Sequence, residues 1–360
     1  MTQQAAIPLG VPLRVFAASP DDSAASVVSQ LEVGDHRDLH ALRRFAKGVD
    51  VLTFDHEHVP TAHLRALAAD GVTLRPGAAA LPHAQDKVLL RERLGAAGLP
   101  GPRWRVVSSA AEVAAFAAEA GWPVVLKAPR GGYDGRGVWL AEDAAEAAET
   151  LAGRGPLLVE ERVGFTRELA ALVARSPHGQ AAAYPVVETV QRGGVCVEVV
   201  APAPDLPAER AGQAQELALR IAAELGVTGL LAVELFDTGT DLLVNELAMR
   251  PHNSGHWTIE GAVTSQFEQH LRAVLDLPLG ETRPLAPYTV MANVFGGHPD
   301  LYGGLPHCLA RDPALHVHLY GKAVRPGRKV GHVTALGADL AETRARVRHA
   351  AAYLQGDLDG

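Results

Sequence analysis

Short apolar runs alternate with helical spacing through residues 1–84. Residues 13–18 and 49–54 are apolar runs of strand length, whereas residues 38–46 and 61–69 place their apolar side chains at helical intervals. This alternation predicts a parallel sheet, whose ligands bind beyond the carboxyl ends of its strands. Glu57 follows the second predicted strand and is therefore a candidate ligand contact, with a solvated loop as the alternative.

The middle of the chain continues the alternation, and two of its buried strands carry carboxylates. Helices are predicted at 85–97, 110–120 and 213–225, and strands at 104–107, 122–127, 157–163 and 167–174. The apolar runs 232–236 and 242–246 place Glu234 and Glu246 on neighbouring strands. Two such acids repel unless cations lie between them, which suits Mg²⁺. The alternative is a pair of strand-edge acids, each neutralised by Lys or Arg.

A lysine and a glycine-rich loop follow the predicted strand 122–127. Lys127 ends this strand, and residues 131–137 contain four glycines. Glycine backbone can approach phosphate oxygens closely, and an ammonium group is a usual phosphate ligand. The spacing matches neither the P-loop nor the dinucleotide-binding pattern. We therefore expect a nucleotide phosphate site here, with a flexible hairpin as the alternative.

Polar side chains are concentrated directly after the strand that carries Glu246. This segment brings together a cation, two imidazoles, an amide and a hydroxyl, namely Arg250, His252, His256, Asn253 and Ser254. A hydrophobic core does not need such a set, so we expect it to contact a substrate. Arg250 beside His252 should lower the pKa of that imidazole.

A basic hairpin is predicted near the end of the chain. Its arms, residues 316–322 and 325–335, carry Lys322, Arg328 and Lys329. Several cations on adjacent arms suit a phosphate monoester. The alternative is a solvated basic hairpin.

Composition limits the classes of protein that remain. The 360 residues are 48% apolar and 21% charged, as in a soluble globular protein of two or three domains. The formal net charge of −8 argues against nucleic acid or an anionic membrane as the main partner. The two cysteines, Cys196 and Cys308, form no metal motif or disulfide framework, which favours a reducing cytoplasm.

In this order, the motifs resemble those of the ATP-grasp superfamily, and within it the 5-(carboxyamino)imidazole ribonucleotide synthase family. The most specific stretches are residues 131–135, 250–257, 264–268 and 328–332, and residues 54–60 are similar to the family's substrate loop. The resemblance implies an α/β ATP-grasp fold. Its parts are an N-terminal doubly wound parallel-sheet (pre-ATP-grasp) domain over 1–84, an ATP-grasp domain over 85–280 with a mobile lid around 105–182, and a small C-terminal β-rich domain over 281–360.

The resemblance also implies roles for individual residues. ATP phosphates would be contacted by Lys87, Lys127 and the loop Gly132, Tyr133, Asp134, Gly135, Arg136 and Gly137. Adenosine would be held by Glu160, Glu161 and Val163, with Glu168 on its ribose, and Mg²⁺, expected as two ions, by Glu234 and Glu246 beside Asn245. Aminoimidazole ribonucleotide would contact Glu57, Tyr133, Arg250, His252, Asn253 and Ser254, and its phosphate would contact Lys322, Arg328 and Lys329.

The implied reaction is the ATP-dependent carboxylation of aminoimidazole ribonucleotide by bicarbonate, through carboxyphosphate, in purine biosynthesis. Lys127, Arg250 and His252 would be the catalytic groups, with His252 handling a proton, and the enzyme would be a homodimer. One alternative is another ATP-grasp ligase, such as a formate-dependent ribonucleotide transformylase or a biotin carboxylase. The residues from His252 to Ser254, with Lys322 and Arg328, argue against it. A catalytically inactive nucleotide-binding relative is the second alternative, and the presence of Lys127, Glu234 and Glu246 argues against it.

Three features depart from the family pattern. Met249 stands where the family usually has proline, and Gln191 stands where many members have histidine. The family's first strand and glycine-rich turn are absent, and residues 1–9 have the pattern of the helix that should follow them. We therefore expect the true start of the coding sequence to lie upstream of Met1.

Overall fold

The computed structural model describes residues 1–132 and 135–358. Tyr133 and Asp134, both expected in the phosphate loop, lie outside the described residues. The N-terminal region contains, in chain order, α1 (Thr2–Ala6), β1 (Arg14–Ala17), β2 (Gln30–Val33), α2 (Leu39–Phe45), α3 (Thr61–Ala69) and α4 (Pro82–Gln85). Strands β1 and β2 pair in parallel, as predicted for this region.

The predicted strand at 49–54 is wrong. Leu52 alone is paired there, in an isolated parallel bridge with Leu74. The partner segment cannot extend the pairing far, because Pro76 follows directly and has no N–H to donate. Strand β2 was not predicted, because its four residues Gln-Leu-Glu-Val are too short a run to show a clear alternation, and the structure leaves three of them exposed.

A small antiparallel sheet follows. Its elements are α5 (Lys87–Ala96), β3 (Trp104–Val107), α6 (Ala110–Ala120), β4 (Val124–Lys127), β5 (Val138–Ala141), α7 (Ala144–Leu151) and β6 (Leu157–Glu161). The strand order is β3-β6-β4-β5, and helices α6 and α7 cover the sheet through a core that includes Val113, Phe116 and Leu126. Ser109 begins α6 with a capping box to Glu112, which explains why the predicted start of this helix is accurate.

The remaining elements build one large sheet with helices against it. They are β7 (Arg167–Arg175), β8 (Ala181–Ala183), β9 (Val187–Arg192), β10 (Val195–Ala201), α8 (Ala208–Glu224), β11 (Gly229–Asp237), β12 (Leu242–Ala248), a 3₁₀ turn (Asn253–Gly255), α9 (Thr258–Gly261), α10 (Gln266–Val274), β13 (Tyr288–Phe295), α11 (Leu301–Arg311), β14 (His316–Leu319), β15 (Lys329–Gly337) and α12 (Leu340–Gln355). Within the described residues the strand order is β12-β11-β7-β9-β10-β13-β15-β14, and β8 pairs with β7.

The C-terminal strands therefore extend the central sheet instead of forming a sheet of their own. Strand β13 pairs with β10, and β15 pairs with β13. Helices α11 and α12 pack on these strands around Val330, Val333 and Val347. This continuity brings the basic hairpin between β14 and β15 to the same sheet as Glu234 and Glu246. No helix in the part of the chain that the structure describes is long and apolar enough to cross a membrane.

Candidate active site

Three carboxylates lie together on the edge of the large sheet. Glu234 and Glu246 stand opposite each other in the register of β11 and β12, beside an irregularity that follows Glu234. Glu168 comes from β7 on the other side of β11, two residues from Ala170, which pairs with Glu234. Side chains two residues apart on a strand share a face, so Glu168 and Glu234 face the same side. The sequence therefore predicted this convergence correctly for the two acids on β11 and β12.

Burial raises the pKa of two of these carboxylates, Glu234 and Glu168. The pKa of Glu234 is raised to about 8, mainly by burial and then by the charges of Glu246 and Glu168. Burial also raises the pKa of Glu168 to about 7, against the opposing effect of Lys127. Among the described residues, no group of three His, Cys, Asp or Glu side chains could hold an ion by itself. Two carboxylates could hold Mg²⁺ if phosphate oxygens supplied further ligands.

Lys87 forms an ion pair with Glu246. It opens α5, whose start is capped by the carboxylate of Asp86. The Lys87 Nζ lies 3.4 Å from Glu246 Oε2, and the Glu246 side chain remains 42% exposed. This pair is accessible, so it can open for a ligand at little cost.

Lys127 lies at the end of β4 in a buried cluster of charges. Its Nζ is 2.7 Å from Glu160 Oε2 and donates to Asn245 Oδ1 at 3.1 Å. The other oxygen of Glu160 is bonded to Arg91 Nε at 2.6 Å. The two cations hold the pKa of Glu160 below its usual range, against the effect of burial. The Glu160 side chain is thus fully engaged by protein groups.

Glu161 is engaged as well, on the surface of the small sheet. Its carboxylate accepts from Arg103 N at 2.8 Å and from Arg103 Nε at 2.6 Å. Val163 follows β6 in a loop and is half-buried. The proposed contacts of Glu160, Glu161 and Val163 with adenosine stay predictions, because protein groups occupy both carboxylates and Glu161 N donates to Arg103 O at 3.0 Å.

Glu57 joins the N-terminal region to the segment after β12. Its carboxylate accepts from Met249 N at 2.9 Å and from Arg250 Nε at 2.9 Å. Two bonds to one carboxylate fix both the backbone at Met249 and the guanidinium beside it. The structure therefore brings together two of the residues expected around the ribonucleotide.

His252 faces Glu234 from the same segment. Its Nδ1 accepts from Ser254 N at 3.4 Å and lies 2.9 Å from Ser254 Oγ, so Nε2 is the ring atom that carries hydrogen. Nε2 is 3.5 Å from Glu234 Oε1. Burial, and secondly Arg250, holds the pKa of His252 well below its usual range. The expected direction of the pKa shift is confirmed, and a neutral imidazole beside a largely protonated Glu234 is not an ion pair.

Gln266 holds this segment in place from α10. Its Oε1 accepts from His252 N at 2.9 Å, and its Nε2 donates to His252 O at 2.8 Å and to His256 Nδ1 at 2.8 Å. Asn253 is fixed separately, through reciprocal amide bonds of 2.8 and 2.9 Å with Asn293. The 250–257 segment is therefore anchored at both backbone and side chains.

The basic hairpin contributes its cations unequally. Lys329, at the start of β15, is close enough to act on the pKa values of Glu234 and His252. Lys322 Nζ lies over the Tyr320 ring, 5.0 Å from its centroid. Arg328 is exposed and donates to Ala323 O at 3.2 Å. The structure thus brings Lys329 to the carboxylates, while the phosphate contacts of Lys322 and Arg328 stay predictions.

The described part of the glycine loop packs against a turn between β9 and β10. Gly135 has φ +75°, and a Cβ there would lie 3.3 Å from Gly193 O and from the Gly194 Cα. A side chain at Gly135 would therefore be strained and crowded. Gly132, Arg136 and Gly137 belong to the same loop, and their phosphate contacts stay predictions.

Arg91, Gln266 and Asn293 are the site residues that sequence reasoning missed. Arg91 lies on the buried face of α5 with Leu90 and Leu94. A charged residue at a helix position with apolar spacing was the available signal for it. Gln266 and Asn293 gave no such signal, because single amides within a helix and a strand are common.

Comparison with known proteins agrees with this geometry. Family models described as the ribonucleotide synthetase preATP-grasp domain, the ATP-grasp domain and the phosphoribosylaminoimidazole carboxylase C-terminal domain match residues 1–85, 92–267 and 289–346. The N5-carboxyaminoimidazole ribonucleotide synthase of Mycobacterium tuberculosis is 59% identical over 364 residues, covering 98% of this chain and 85% of that protein. The chain belongs to the N5-carboxyaminoimidazole ribonucleotide synthase family.

Solved structures of this family have the same fold. The N5-carboxyaminoimidazole ribonucleotide synthetase of Thermus thermophilus superimposes with a TM-score of 0.87 at 39% identity, covering 100% of this chain and 96% of that one. The Aspergillus clavatus synthase in complex with ADP and 5-aminoimidazole ribonucleotide has a TM-score of 0.90 at 32% identity, covering 99% and 95%. The resemblance inferred from the motifs is confirmed, and the chain is an ATP-grasp ligase.

Proposed function

We propose that this synthase carboxylates 5-aminoimidazole ribonucleotide to N5-carboxyaminoimidazole ribonucleotide, with ATP as the energy source and bicarbonate as the carbon source. ATP-dependent carboxylation of this ribonucleotide, a step of purine biosynthesis, is the activity of its family. The Aspergillus clavatus synthase was solved with ADP and 5-aminoimidazole ribonucleotide, which supports ATP and this ribonucleotide as substrates. The observation that carries the proposal is the cluster of Glu168, Glu234 and Glu246, flanked by Lys127 and His252.

The first step is phosphoryl transfer to bicarbonate. A bicarbonate oxygen attacks the γ-phosphorus, the bond to the β,γ-bridging oxygen breaks, and ADP leaves, which yields carboxyphosphate. Such a transfer needs positioning and charge compensation more than covalent help from the protein. Lys127 and Lys87 are the cations on the nucleotide side, and each already lies beside an acid that can release it to phosphate.

Glu234 and Glu246 are the residues that would hold Mg²⁺. Their fit to a divalent cation rests on the pKa of Glu234, which burial and the neighbouring carboxylates raise to about 8. A cation between them would remove that repulsion, and ATP oxygens would complete its coordination. When bound, Mg²⁺ neutralises charge on the phosphate oxygens.

The second step transfers carbon dioxide to the amine. Carboxyphosphate breaks down to carbon dioxide and phosphate, and the exocyclic amine attacks the carbon and loses a proton. His252 is a weak base because its pKa is held far below the usual range, so the released phosphate takes that proton. The Nε2–H of His252 instead donates a hydrogen bond to an oxygen of the group being transferred. Arg250, fixed by Glu57, supplies a positive charge at the same place.

Omitting each substrate in turn tests this function. ADP formation should require ATP, bicarbonate and 5-aminoimidazole ribonucleotide together. Formate in place of bicarbonate, and biotin in place of the ribonucleotide, are the matched controls for other ATP-grasp ligases. ADP formation that ignores either the ribonucleotide or bicarbonate would contradict the proposal.

The basic hairpin provides a test of the ribonucleotide site. Arg328→Ala should raise the KM for 5-aminoimidazole ribonucleotide about tenfold, because a charge-assisted contact to its phosphate is lost. The KM for ATP should stay within about twofold. If the KM for ATP rose instead, the hairpin would belong to the nucleotide. A homodimer in a reducing cytoplasm remains our expectation for the assembled enzyme.

A further inference from the structure

Arg91 is buried beside the nucleotide site, yet no step of the reaction needs it. Its side chain is 3% exposed, and that of its partner Glu160 is 2% exposed. Arg91 Nε bonds to Glu160 Oε1 at 2.6 Å, while Lys127 Nζ lies 2.7 Å from Glu160 Oε2. Two cations thus share one carboxylate, each on its own oxygen.

The remaining donors of Arg91 bridge the two sheets. Nη1 donates to Val244 O at 2.9 Å and Nη2 donates to Asn245 O at 2.8 Å. Glu160 belongs to β6 of the small sheet, whereas Val244 and Asn245 belong to β12 of the large one. The side chain of the same Asn245 accepts from Lys127. Arg91 therefore fixes both groups that hold the Lys127 ammonium.

The charge balance of the cluster explains why Arg91 matters to the pair formed by Glu160 and Lys127. Without Arg91, Glu160 and Lys127 would form a neutral buried pair, and a phosphate would have to compete with Glu160 for the ammonium. With Arg91 present, the three side chains carry one net positive charge, which would leave Lys127 able to attract a phosphate. Buried charges act strongly on each other because little water screens them.

We propose that Arg91 is a positioning residue for the nucleotide phosphates, which neutralises Glu160 so that Lys127 is free to bind them. The proposal rests on the ATP-binding part of the proposed function and not on the identity of the acceptor. Arg91 itself does not touch the nucleotide in this account. Its guanidinium is needed because a lysine cannot bond one carboxylate and two carbonyls in a fixed plane.

Two substitutions in the same ion pair should have opposite effects. Arg91→Met should weaken the binding of ADP with Mg²⁺ and raise the KM for ATP by about tenfold, because Lys127 stays with Glu160. Glu160→Gln should tighten nucleotide binding, because it releases Lys127. Arg91→Lys should fall between wild type and Arg91→Met. Titration calorimetry with ADP gives the affinity, and steady-state rates separate the KM for ATP from kcat.

A merely structural role for Arg91 predicts a different result. Both Arg91→Met and Glu160→Gln break the same contact, so a structural role would weaken nucleotide binding in both, by similar factors. That outcome would overturn the proposal. The double variant Arg91→Met/Glu160→Gln should recover nucleotide affinity to within about threefold of wild type, whereas purely structural losses would accumulate.

Arg93→Met is the matched control on the same helix. Arg93 is exposed and pairs with Glu224 at the surface, so its loss should leave nucleotide binding unchanged. Should Arg91→Met fail to fold by circular dichroism, Arg91→Lys and Glu160→Gln still carry the opposite signs that decide the question. Nucleotide binding is measured without 5-aminoimidazole ribonucleotide, the acceptor of the reaction. Failure of the proposed carboxylation would therefore appear as absent ribonucleotide-dependent ADP formation in the wild type, independently of these affinities.

Discussion

The two charged clusters of the site differ in how their charges are balanced. Arg91, Glu160 and Lys127 are buried, and each oxygen of the carboxylate has its own cation. Glu234 stands between two further acids, and its pKa is raised mainly by burial and then by the charges of Glu246 and Glu168. The carboxylate of the first cluster is fully paired without a ligand, whereas in the second cluster Glu234 and Glu168 have raised pKa values. The two clusters meet at β12, where Lys127 donates to Asn245 and Glu246 is the next residue of the strand.

This difference separates residues that hold the site from residues that await a substrate. A buried cation-carboxylate pair loses much of its value if one partner is removed, so such a cluster is a fixed part of the scaffold. Carboxylates with raised pKa values store unfavourable interactions, which is typical of functional sites. We infer that the cluster of Glu168, Glu234 and Glu246 is stabilised by the ligand it binds. The cluster of Arg91, Glu160 and Lys127 is instead stabilised by the fold.

The largest effect should come from Glu246→Gln. It removes one of the two proposed Mg²⁺ ligands, so ADP formation should fall by about 10³-fold or more. Binding of ADP should also lose most of its dependence on Mg²⁺, as measured by calorimetry with and without EDTA. Glu149→Gln, at an exposed position of helix α7, is the control. Near wild-type turnover would end the assignment of Glu246.

Lys127→Met should have the second-largest effect on activity. The phosphate loses a buried cation that Arg91 and Glu160 hold in position, so kcat/KM for ATP should fall about 10²-fold. The KM for 5-aminoimidazole ribonucleotide should change little. Equal losses for both substrates would indicate that the substitution has distorted the whole site and that the two clusters are not separate units.

Glu234→Gln should stabilise the ligand-free protein at alkaline pH. The folded pKa of about 8 lies above the usual value of 4.5 for this group. The folded state therefore keeps a proton that the unfolded state loses, and wild-type stability falls as pH rises from 4.5 to 8. Glutamine has no such proton, so the variant should gain about 4 kcal/mol in unfolding free energy at pH 8 relative to pH 4.5. Urea unfolding at both pH values measures this, and an equal difference at each pH would contradict it.

Buried histidines should produce a smaller effect at acidic pH. Burial lowers the pKa of His270 to about 4, and its Nδ1 accepts from Leu230 N while Nε2 lies 2.7 Å from Thr53 Oγ1. The unfolded state gains a proton first as pH falls from about 6.5, so stability is lost between pH 6.5 and 4. His270→Gln should reduce the fall in melting temperature between pH 6.5 and pH 4. An unchanged profile would assign the acid sensitivity to other groups, such as His256.

Much of the site could be predicted because it lies at the ends of strongly apolar strands. The runs before Glu234, Glu246 and Lys127 define β11, β12 and β4 within a few residues, and these polar groups fall within three residues of the strand ends. Strand alternation also places Glu168 on the face of Glu234. Local pattern is sufficient wherever the chemistry is attached to a regular element.

The rest depends on contacts between distant segments. Arg91 is separated by 69 residues from Glu160, and nothing near Arg91 in the sequence indicates a buried carboxylate. Asn253 and Asn293 meet across 40 residues for the same reason. The pairing of β13 with β10, which carries the basic hairpin onto the central sheet, is equally non-local. The strand expected at 49–54 was wrong because strand pairing needs a partner of matching length, which apolar character cannot supply.

Proton release on binding of ADP with Mg²⁺ tests the difference between the two clusters most directly. A cation bound beside Glu234 and Glu168 must displace the protons that these carboxylates keep because their pKa values are raised. The cluster of Arg91, Glu160 and Lys127 has no such proton to release. Calorimetry at pH 7 in two buffers of different ionisation enthalpy gives the number of protons released. We predict release of about one proton per nucleotide from the wild type, and most of it lost in Glu234→Gln. No release from the wild type, or the same release from both proteins, would contradict the account.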